Sequence, residues 1–327
     1  MDMPMPDASV LARRDRILAQ LAAVLPGDAL ISDPTETRAY ECDALTAYRC
    51  PPMAAVLPRT TEEVAAVLRI CHQERVPVVP RGSGTSLAGG ALPTADCVIL
   101  GIARMNGVLE TDYADRFIHV QTGRTNLSVT GAVEHEGFFY APDPSSQLAC
   151  MIGGNVNMNS GGAHCLKYGV TTNNVLGVRL VQMDGTILDI GGEAMDAPGL
   201  DLLGLVVGSE GQLGIVTEAV VRILRMAEDA RPVLFGFDTS EEAAACVAAV
   251  IGAGIIPVAM EFMDKEAIAI CEAFAKAGYP LDVGAMLIIE VEGSAVEMDA
   301  QLKRIVEIAR QHNVRVVRES KSAMETA

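Results

Sequence analysis

The chain has 327 residues, a length that is typical of two domains and excludes a small disulfide-stapled fold. Its 25 Lys and Arg residues against 42 Asp and Glu residues give a formal charge of −17, so most of the surface would repel a phosphate backbone and nucleic-acid binding is disfavoured. The 30 glycines, the 4% aromatic content and the lack of Trp favour ligand recognition by backbone amides over recognition by aromatic rings.

The spacing of the 8 cysteines indicates reduced, mostly structural thiols, because it contains no C-x-x-C pair and suits neither a zinc site nor an iron–sulfur cluster. The N-terminal segment lacks the apolar core of a secretory signal. Residues 243–260 carry no charge, but a capping pattern at residues 239–242 and the glycines Gly252 and Gly254 predict a buried helix and strand there instead of a membrane span. We therefore expect a cytoplasmic protein without a transmembrane segment.

The first part of the chain is predicted to contain helices and strands joined by glycine-rich loops. Apolar residues at helical spacing predict helices over residues 9–25, 60–74 and 125–136. Short apolar or alternating runs predict strands over residues 53–57, 76–79, 97–100, 117–122, 175–183, 186–190 and 219–224. Asp184 and Gly185, between two of these strands, are typical of a hairpin turn.

Near residue 230 the glycine-rich turns give way to regular alternation. Strands are predicted over residues 233–237, 255–263, 285–292 and 314–318, and helices over residues 241–251, 265–277 and 295–311. This order is typical of an α+β sheet backed by helices, in the manner of a ferredoxin-like fold. The predicted domains are residues 1–48 (an N-terminal helix and connector), residues 49–230 and residues 231–327.

The loop PRGSGTSLAGG at residues 80–90 follows a predicted strand and invites a phosphate-binding interpretation. A dinucleotide-binding G-x-G-x-x-G turn would need its third glycine at Leu87, and no helix is predicted to begin there. A Walker A loop would need Lys and Ser or Thr where Gly90 and Ala91 stand. Consecutive small residues still allow several backbone N–H groups to converge on one anion. The loop therefore predicts an anion site of another kind.

Two further loops carry glycine-rich motifs, APDPSSQLACMIGGNVNMNSGG at residues 141–162 and GSEGQLGIVT at residues 208–217. Together with PRGSGTSLAGG, in this order, they resemble the flavin-binding domain of the vanillyl-alcohol oxidase and p-cresol methylhydroxylase superfamily. The resemblance covers residues 35–320 and is strongest to the branch of glycolate oxidase D subunits and D-lactate dehydrogenases. It implies an α+β fold, in which a two-subdomain FAD-binding domain of the p-cresol methylhydroxylase type is followed by part of a ferredoxin-like cap domain.

The resemblance assigns FAD to the three loops. Residues 80–86 would bind the pyrophosphate, and residues 210–216 would pass near the adenine and isoalloxazine. Residues 143–149 and 159–162, with Gly153, Gly154 and Asn155 between them, would line the flavin and ribityl chain. The implied cofactor-binding residues are Pro80, Arg81, Gly82, Ser83, Gly84, Thr85, Ser86, Asp143, Pro144, Ser145, Ser146, Ala149, Gly153, Gly154, Asn155, Asn159, Ser160, Gly161, Gly162, Glu210, Gly211, Gly214, Ile215 and Val216. Some superfamily members attach the flavin to a His in the pyrophosphate loop. Residues 81–90 contain no His, so we expect noncovalent FAD.

The resemblance also implies an enzyme that oxidises a small D-2-hydroxyacid, with glycolate as the leading substrate, and passes electrons to an iron–sulfur or FAD-containing partner subunit or to a quinone. A D-lactate dehydrogenase and a noncatalytic flavin-binding subunit are the alternatives. Such a protein would be cytoplasmic, or attached through partners to the inner face of the membrane. Relatives supply a metal or base from a GEHGxG-type motif, which this chain lacks. Catalytic residues are therefore unassigned, no metal ligand is predicted, and the chain alone is expected to be incomplete.

A few other residues invite a functional interpretation but favour a structural one. His164 and Cys165 have no acid or base at a recognisable spacing, so we expect them to pack against the protein. His119 lies in a predicted strand and His312 near a predicted helix end, and both are expected to be structural. ATP binding is disfavoured because Lys167, the nearest candidate for a phosphate-binding lysine, lies in another loop.

Overall fold

The computed structural model describes residues 3–194 and 199–319, which belong to two compact units. Unit 1 comprises Met1–Ser160 and Val170–Leu224, and unit 2 comprises Gly161–Gly169 and Arg225–Ala327. The short segment Gly161–Gly169 thus belongs to unit 2, although it lies far from the rest of that unit in the sequence. The predicted division into residues 1–48, 49–230 and 231–327 stays a prediction.

Unit 1 begins with two short helices where the sequence predicts one. They are α1 (Ala8–Leu11) and α2 (Arg14–Val24). Between them, Arg13 has non-helical backbone angles (φ −103°, ψ 7°), and its Nη1 donates to Oε2 of Glu74 at 2.5 Å. The prediction of one continuous helix over residues 9–25 is wrong, because the turn at Arg13 interrupts the helix.

A four-stranded sheet follows, with the strand order β1-β2-β4-β3. Its strands are β1 (Leu30–Ile31), β2 (Ala54–Val56), β3 (Val78–Arg81) and β4 (Val98–Gly101). Helix α3 (Thr61–Glu74) connects β2 to β3, and both strands pair in parallel with β4, which confirms the predicted strand, helix, strand unit. The side chain of Thr60 caps the start of α3, which buries Val64 and Leu68 in the core. Strand β3 delivers the chain directly into the first glycine loop.

The second sheet of unit 1 has five strands in the order β5-β6-β10-β8-β9, and all neighbours are antiparallel. The elements of this region are β5 (Val108–Asp112), β6 (Phe117–Gln121), α4 (Asn126–Val133), β7 (Phe138–Phe139), α5 (Ile152–Met158), α6 (Cys165–Tyr168, within unit 2), β8 (Val175–Val181), β9 (Ile187–Gly191), α7 (Leu202–Val206), β10 (Ile215–Arg222) and β11 (Leu224–Arg225). Strands β8 and β9 form the predicted hairpin, with Gly185 at φ +81°. Helix α4 packs against this sheet through Val129 and Val133.

Two sequence predictions fail in this region. The segment 141–162, predicted as a loop, contains helix α5, whose first turn is held by backbone N–H groups of Ile152 and Gly153 that donate to carbonyls outside the helix. The strand predicted over residues 219–224 begins earlier, at Ile215, because Ile215 and Val216 already pair with β8. Both corrections place regular structure inside the predicted cofactor motifs.

Unit 2 contains an antiparallel four-stranded sheet with the order β13-β14-β12-β15. Its elements are β12 (Asp229–Phe237), α8 (Ser240–Gly252), β13 (Ala259–Asp264), α9 (Lys265–Ala275), β14 (Ala285–Gly293), α10 (Ala295–Gln311) and β15 (Val316–Glu319). Thr239 caps α8, and Ser294 forms a capping box with Glu297 at the start of α10. This strand order is the ferredoxin-like one, as predicted. Among the described residues, no helix is both long and apolar enough to cross a membrane.

Candidate functional site

A cavity of about 270 Å³ lies in unit 1, where the three glycine-rich loops meet. Its wall includes these predicted cofactor-binding residues: Pro80, Arg81, Gly82, Ser83, Gly84, Thr85, Ser86, Ser146, Gly153, Gly154, Asn155, Ser160, Glu210, Gly211, Ile215 and Val216. The fold thus brings together three segments that are widely separated in the sequence. Residues of all three motifs contribute to one concave surface.

Other predicted residues do not line this cavity. Five residues of the second motif are not among those that line the cavity: Asp143, Pro144, Ser145, Ala149 and Asn159. Gly161 and Gly162 belong to unit 2, and Gly214 lines a neighbouring cavity instead. Conversely, the wall contains residues that the motifs do not assign: Gly90, Ala91, Ile102, Cys150, Met151, Asn157 and Met158. Ile102 and Met151 make part of the wall apolar. Ile102 lies outside the three motifs, and Met151 lies within the second one without being a predicted cofactor-binding residue.

The first loop presents backbone donors to the cavity. In the described part of the chain, the N–H groups of Gly82, Ser83, Gly84 and Thr85 donate to no protein acceptor. Buried or partly buried amides are normally paired in folded proteins. Gly84 has φ +72°, a backbone conformation that strongly favours glycine. A run of unpaired N–H groups on a cavity wall is well suited to bind an anion.

The connector before β2 holds this loop in place. The carboxylate of Asp43, which is 4% exposed, accepts hydrogen bonds from the backbone N–H of Gly89 (3.2 Å) and of Leu45 (2.9 Å). The guanidinium of Arg81 donates to the carbonyl of Cys42 at 2.6 Å. Partial burial lowers the pKa of Arg81, although a guanidinium stays charged at physiological pH. No motif points to Asp43, because its partner lies 46 residues away in the sequence.

The third loop approaches the first closely. Gly211 has φ +79°, and a β-carbon added there would lie 2.8 Å from Cγ of Pro80. The N–H of Glu210 donates to the carbonyl of Asn157 at 2.9 Å, so this loop also contacts α5. The first loop is joined to the second in turn, since the hydroxyl of Ser83 donates to the carbonyl of Ala149. Hydrogen bonds and close packing therefore fix the three loops to one another.

A second cavity of about 380 Å³ adjoins the first within unit 1. The two share Pro80, Gly90, Glu210, Gly211 and Ile215. The remaining wall of the second cavity is mostly apolar and consists of Leu68, Val78, Val79, Met183, Gln212, Leu213 and Gly214. The second cavity therefore adds a mostly apolar surface beside the cavity that holds the unpaired N–H groups.

Three of the histidines considered in the sequence have defined surroundings. His119 Nε2 lies 3.0 Å from the carboxylate of Glu218, within a sheet, and His312 caps the end of α10, so both have the predicted structural roles. His164 Nε2 lies 3.8 Å from Glu290 inside unit 2, and Cys165 is exposed. The predicted packing role of Cys165 is therefore wrong. Among the described residues, no three His, Cys, Asp or Glu side chains are grouped as a metal site.

The chain is similar in sequence to known FAD-linked proteins. Residues 52–191 match the family model described as an FAD binding domain, and residues 226–327 match the model of the C-terminal domain of FAD linked oxidases. The glycolate oxidase subunit GlcD of Escherichia coli is 44% identical over 94% of this chain. A D-lactate dehydrogenase of Anaerostipes hadrus is 32% identical over 88% of it. The chain spans 61% and 60% of the length of these two relatives.

A solved structure shows the same fold. The structure of p-cresol methylhydroxylase with substrate bound superposes with a TM-score of 0.77 at 15% identity, over 96% of this chain and 67% of that one. This likeness confirms the predicted fold class. The match to the FAD binding domain confirms the predicted cofactor. The individual cofactor-binding residues and the noncovalent attachment stay predictions.

Proposed function

Because the chain belongs to the FAD-linked oxidases, we propose that unit 1 binds FAD noncovalently in its two adjoining cavities. The protein would serve the oxidation of a small D-2-hydroxyacid to the 2-oxoacid, with glycolate as the leading substrate. The observation that carries the proposal is the row of unpaired N–H groups from Gly82 to Thr85 on the wall of the first cavity. A pyrophosphate is the anion that a dinucleotide would bring to such a row.

The shapes of the surrounding residues fit the same cofactor. Gly154 has open space where a β-carbon would stand, so a flat ring can approach the backbone of α5. The hydroxyl groups of Thr85 and Ser86 line the first cavity and can donate to phosphate or ribityl oxygens. The apolar side chains of Ile102, Met151 and Ile215 belong to that wall and would exclude water from a bound ring. No His stands in residues 81–90, which supports noncovalent attachment.

When bound, FAD would accept the hydride that leaves the substrate carbon. The residues of this chain bind the cofactor by its phosphates, orient its ring and keep bulk water away from it. The charge of the pyrophosphate would be met by oriented N–H dipoles and by Arg81, whose guanidinium is already tied to the carbonyl of Cys42.

The proposed substrate and electron acceptor are inferred from the relatives of this chain. The relatives named above are a glycolate oxidase subunit and a D-lactate dehydrogenase, and identity is greater to the former. The relative from Escherichia coli is a subunit, which supports a partner chain for this protein. The expected electron acceptor is an iron–sulfur subunit or a second FAD-containing subunit, and a quinone is the alternative acceptor. D-lactate oxidation is the second candidate function, and a flavin-binding subunit without its own catalytic site is the third.

Because the chain alone is expected to be incomplete, the candidates would be separated by an anaerobic titration of the FAD-loaded protein purified together with its partner chains. Glycolate and D-lactate would be added in turn while the flavin band near about 450 nm is recorded. Faster bleaching by glycolate supports the leading proposal, and faster bleaching by D-lactate supports the second candidate. Retained FAD that neither substrate bleaches would contradict both oxidase proposals and favour a noncatalytic flavin-binding subunit.

A further inference from the structure

Asn126 is a buried polar residue beside the proposed FAD site that lines neither cavity. It is the first residue of α4 and is 2% exposed. Its side-chain Nδ2 donates to the carbonyl of Pro142 at 2.8 Å, and its Oδ1 accepts from Nδ2 of Asn155 at 2.8 Å. Its backbone N–H donates to the carbonyl of Cys150 at 2.9 Å. One residue therefore bonds three separate points of the second loop motif.

These three points frame the part of the motif that reaches the cavity. Pro142 comes immediately before the predicted segment 143–149, and Cys150 comes immediately after it. Asn155 lies on helix α5, and both Asn155 and Cys150 line the cavity. The adjacent N–H of Leu127 donates to the carbonyl of Gln147 at 3.0 Å, which adds a bond to the middle of the segment. The start of α4 thus holds both ends of the segment and the helix that follows it.

From this arrangement we infer that Asn126 is a positioning residue for the cofactor, holding Ser146, Cys150 and Asn155 on the cavity wall. The inference rests on the proposed function, since it concerns the same FAD site. The contacts require an amide: only Nδ2 can donate to the Pro142 carbonyl, which leaves Oδ1 to accept from Asn155. An aspartate has no donor for that carbonyl and would bring a charge into a buried site. A leucine would leave Pro142 and Asn155 unpaired.

A matched control is available in unit 1. Asn174 is fully buried, donates from Nδ2 to the carbonyl of Val170 at 3.0 Å and lines neither cavity. Its Oδ1 accepts from Arg222 at 3.2 Å, so it too uses both ends of its amide. Replacement of either asparagine by leucine removes one side-chain hydrogen bond to a backbone carbonyl and one to another side chain. Only Asn126 should affect the cofactor beyond the general loss of stability.

The test compares FAD affinity with stability for Asn126→Leu, Asn126→Asp and Asn174→Leu. The FAD dissociation constant would be measured by flavin fluorescence, and the unfolding of the apo-protein by urea titration. We expect both Asn126 variants to raise the dissociation constant by roughly tenfold or more. Asn174→Leu should lower the urea midpoint comparably and leave the dissociation constant nearly unchanged. If Asn126→Leu does not fold, Asn126→Asp, which keeps the acceptor for Asn155, carries the comparison.

Two results would overturn the inference and can be told apart. If wild-type protein binds FAD and the Asn126 variants weaken it no more than Asn174→Leu does at an equal loss of stability, Asn126 is merely structural and the proposed function stands. If wild-type protein binds no FAD, the proposed function fails and the inference fails with it.

Discussion

The guanidinium of Arg81 lies directly against the α-carbon of Gly84. A β-carbon built on Gly84 would stand 2.6 Å from Cζ of Arg81, and Gly84 has φ +72°. Any side chain at this position would meet both a steric clash and backbone strain. Since Arg81 also donates to the carbonyl of Cys42, the guanidinium cannot move away without losing that hydrogen bond. The loop conformation that exposes the N–H groups therefore depends on glycine at position 84.

Replacing Gly84 by valine should weaken FAD binding by at least about tenfold, because the N–H groups of the loop would no longer converge. Gly27→Ala is the control, since Gly27 has open space for a β-carbon and lies far from the cavity residues in sequence. Flavin fluorescence titration of both variants gives the two dissociation constants. Full FAD affinity in Gly84→Val would show that this loop does not bind the pyrophosphate.

Gly214, which lines the second cavity, is expected to matter for stability as well as for the cofactor. It has φ +151°, and a β-carbon there would lie 2.5 Å from the backbone carbonyl of Val181. That carbonyl belongs to β8, which pairs with β10, so it cannot shift without disturbing the sheet. Gly214→Ala should lower the free energy of unfolding by about 2 kcal/mol or more. Urea titration beside Gly192→Ala, where nothing obstructs a β-carbon, checks this, and equal stability of the two variants would refute it.

Acid should destabilise the protein partly through Glu74. Glu74 is 8% exposed. Its carboxylate accepts hydrogen bonds from Arg16, Gln20 and Arg13, and these bonds lower its pKa below the usual range. A lowered pKa in the folded state contributes stability that is present above the unfolded pKa of about 4.3 and is lost as the pH falls through the folded value. Glu74→Gln should therefore flatten the pH dependence of the urea midpoint below about pH 5. An unchanged pH profile would contradict this role.

The thiols should differ sharply in reactivity. Burial raises the pKa of Cys71 and of Cys97 to about 12 and that of Cys246 to about 11, whereas Cys165 is exposed. The thiolate is the reactive form, so iodoacetamide at about pH 8 should label Cys165 early and the three buried thiols only after unfolding. Peptide mass spectrometry over time gives the order. Early labelling of Cys71 in folded protein would show that the core of unit 1 opens readily.

The first glycine loop could be predicted from the sequence because its chemistry is local. Small residues at strand ends identify residues 80–86 without any knowledge of the fold, and the resemblance adds the family, the fold class and the cofactor, all of which are confirmed. Helix α5 is missed because its sequence IGGNVNM contains poor helix formers, and tertiary hydrogen bonds to its first turn stabilise it. Helix propensity, which depends on the local sequence, cannot predict such tertiary hydrogen bonds.

The residues that hold the site in place could not be predicted from the sequence, because their hydrogen-bond partners lie far away along the chain. Asp43 reaches Gly89 across 46 residues, and Asn126 reaches Asn155 across 29. Each is a single polar residue in an ordinary context, and only the folded chain brings it to its partner. The assignment of Gly161–Gly169 to unit 2 is of the same kind, since contacts between segments distant in sequence decide it.

The central claim is that unit 1 holds noncovalent FAD through the loop after β3. The most direct measurement is a titration of the purified protein with FAD, followed by gel filtration and acid precipitation, with the absorbance of each fraction recorded near about 370 and 450 nm. We predict saturation at one FAD per chain, flavin that passes gel filtration with the protein, and yellow colour that leaves the acid precipitate for the supernatant. Binding that does not saturate, or colour that stays with the precipitated protein, would contradict the account.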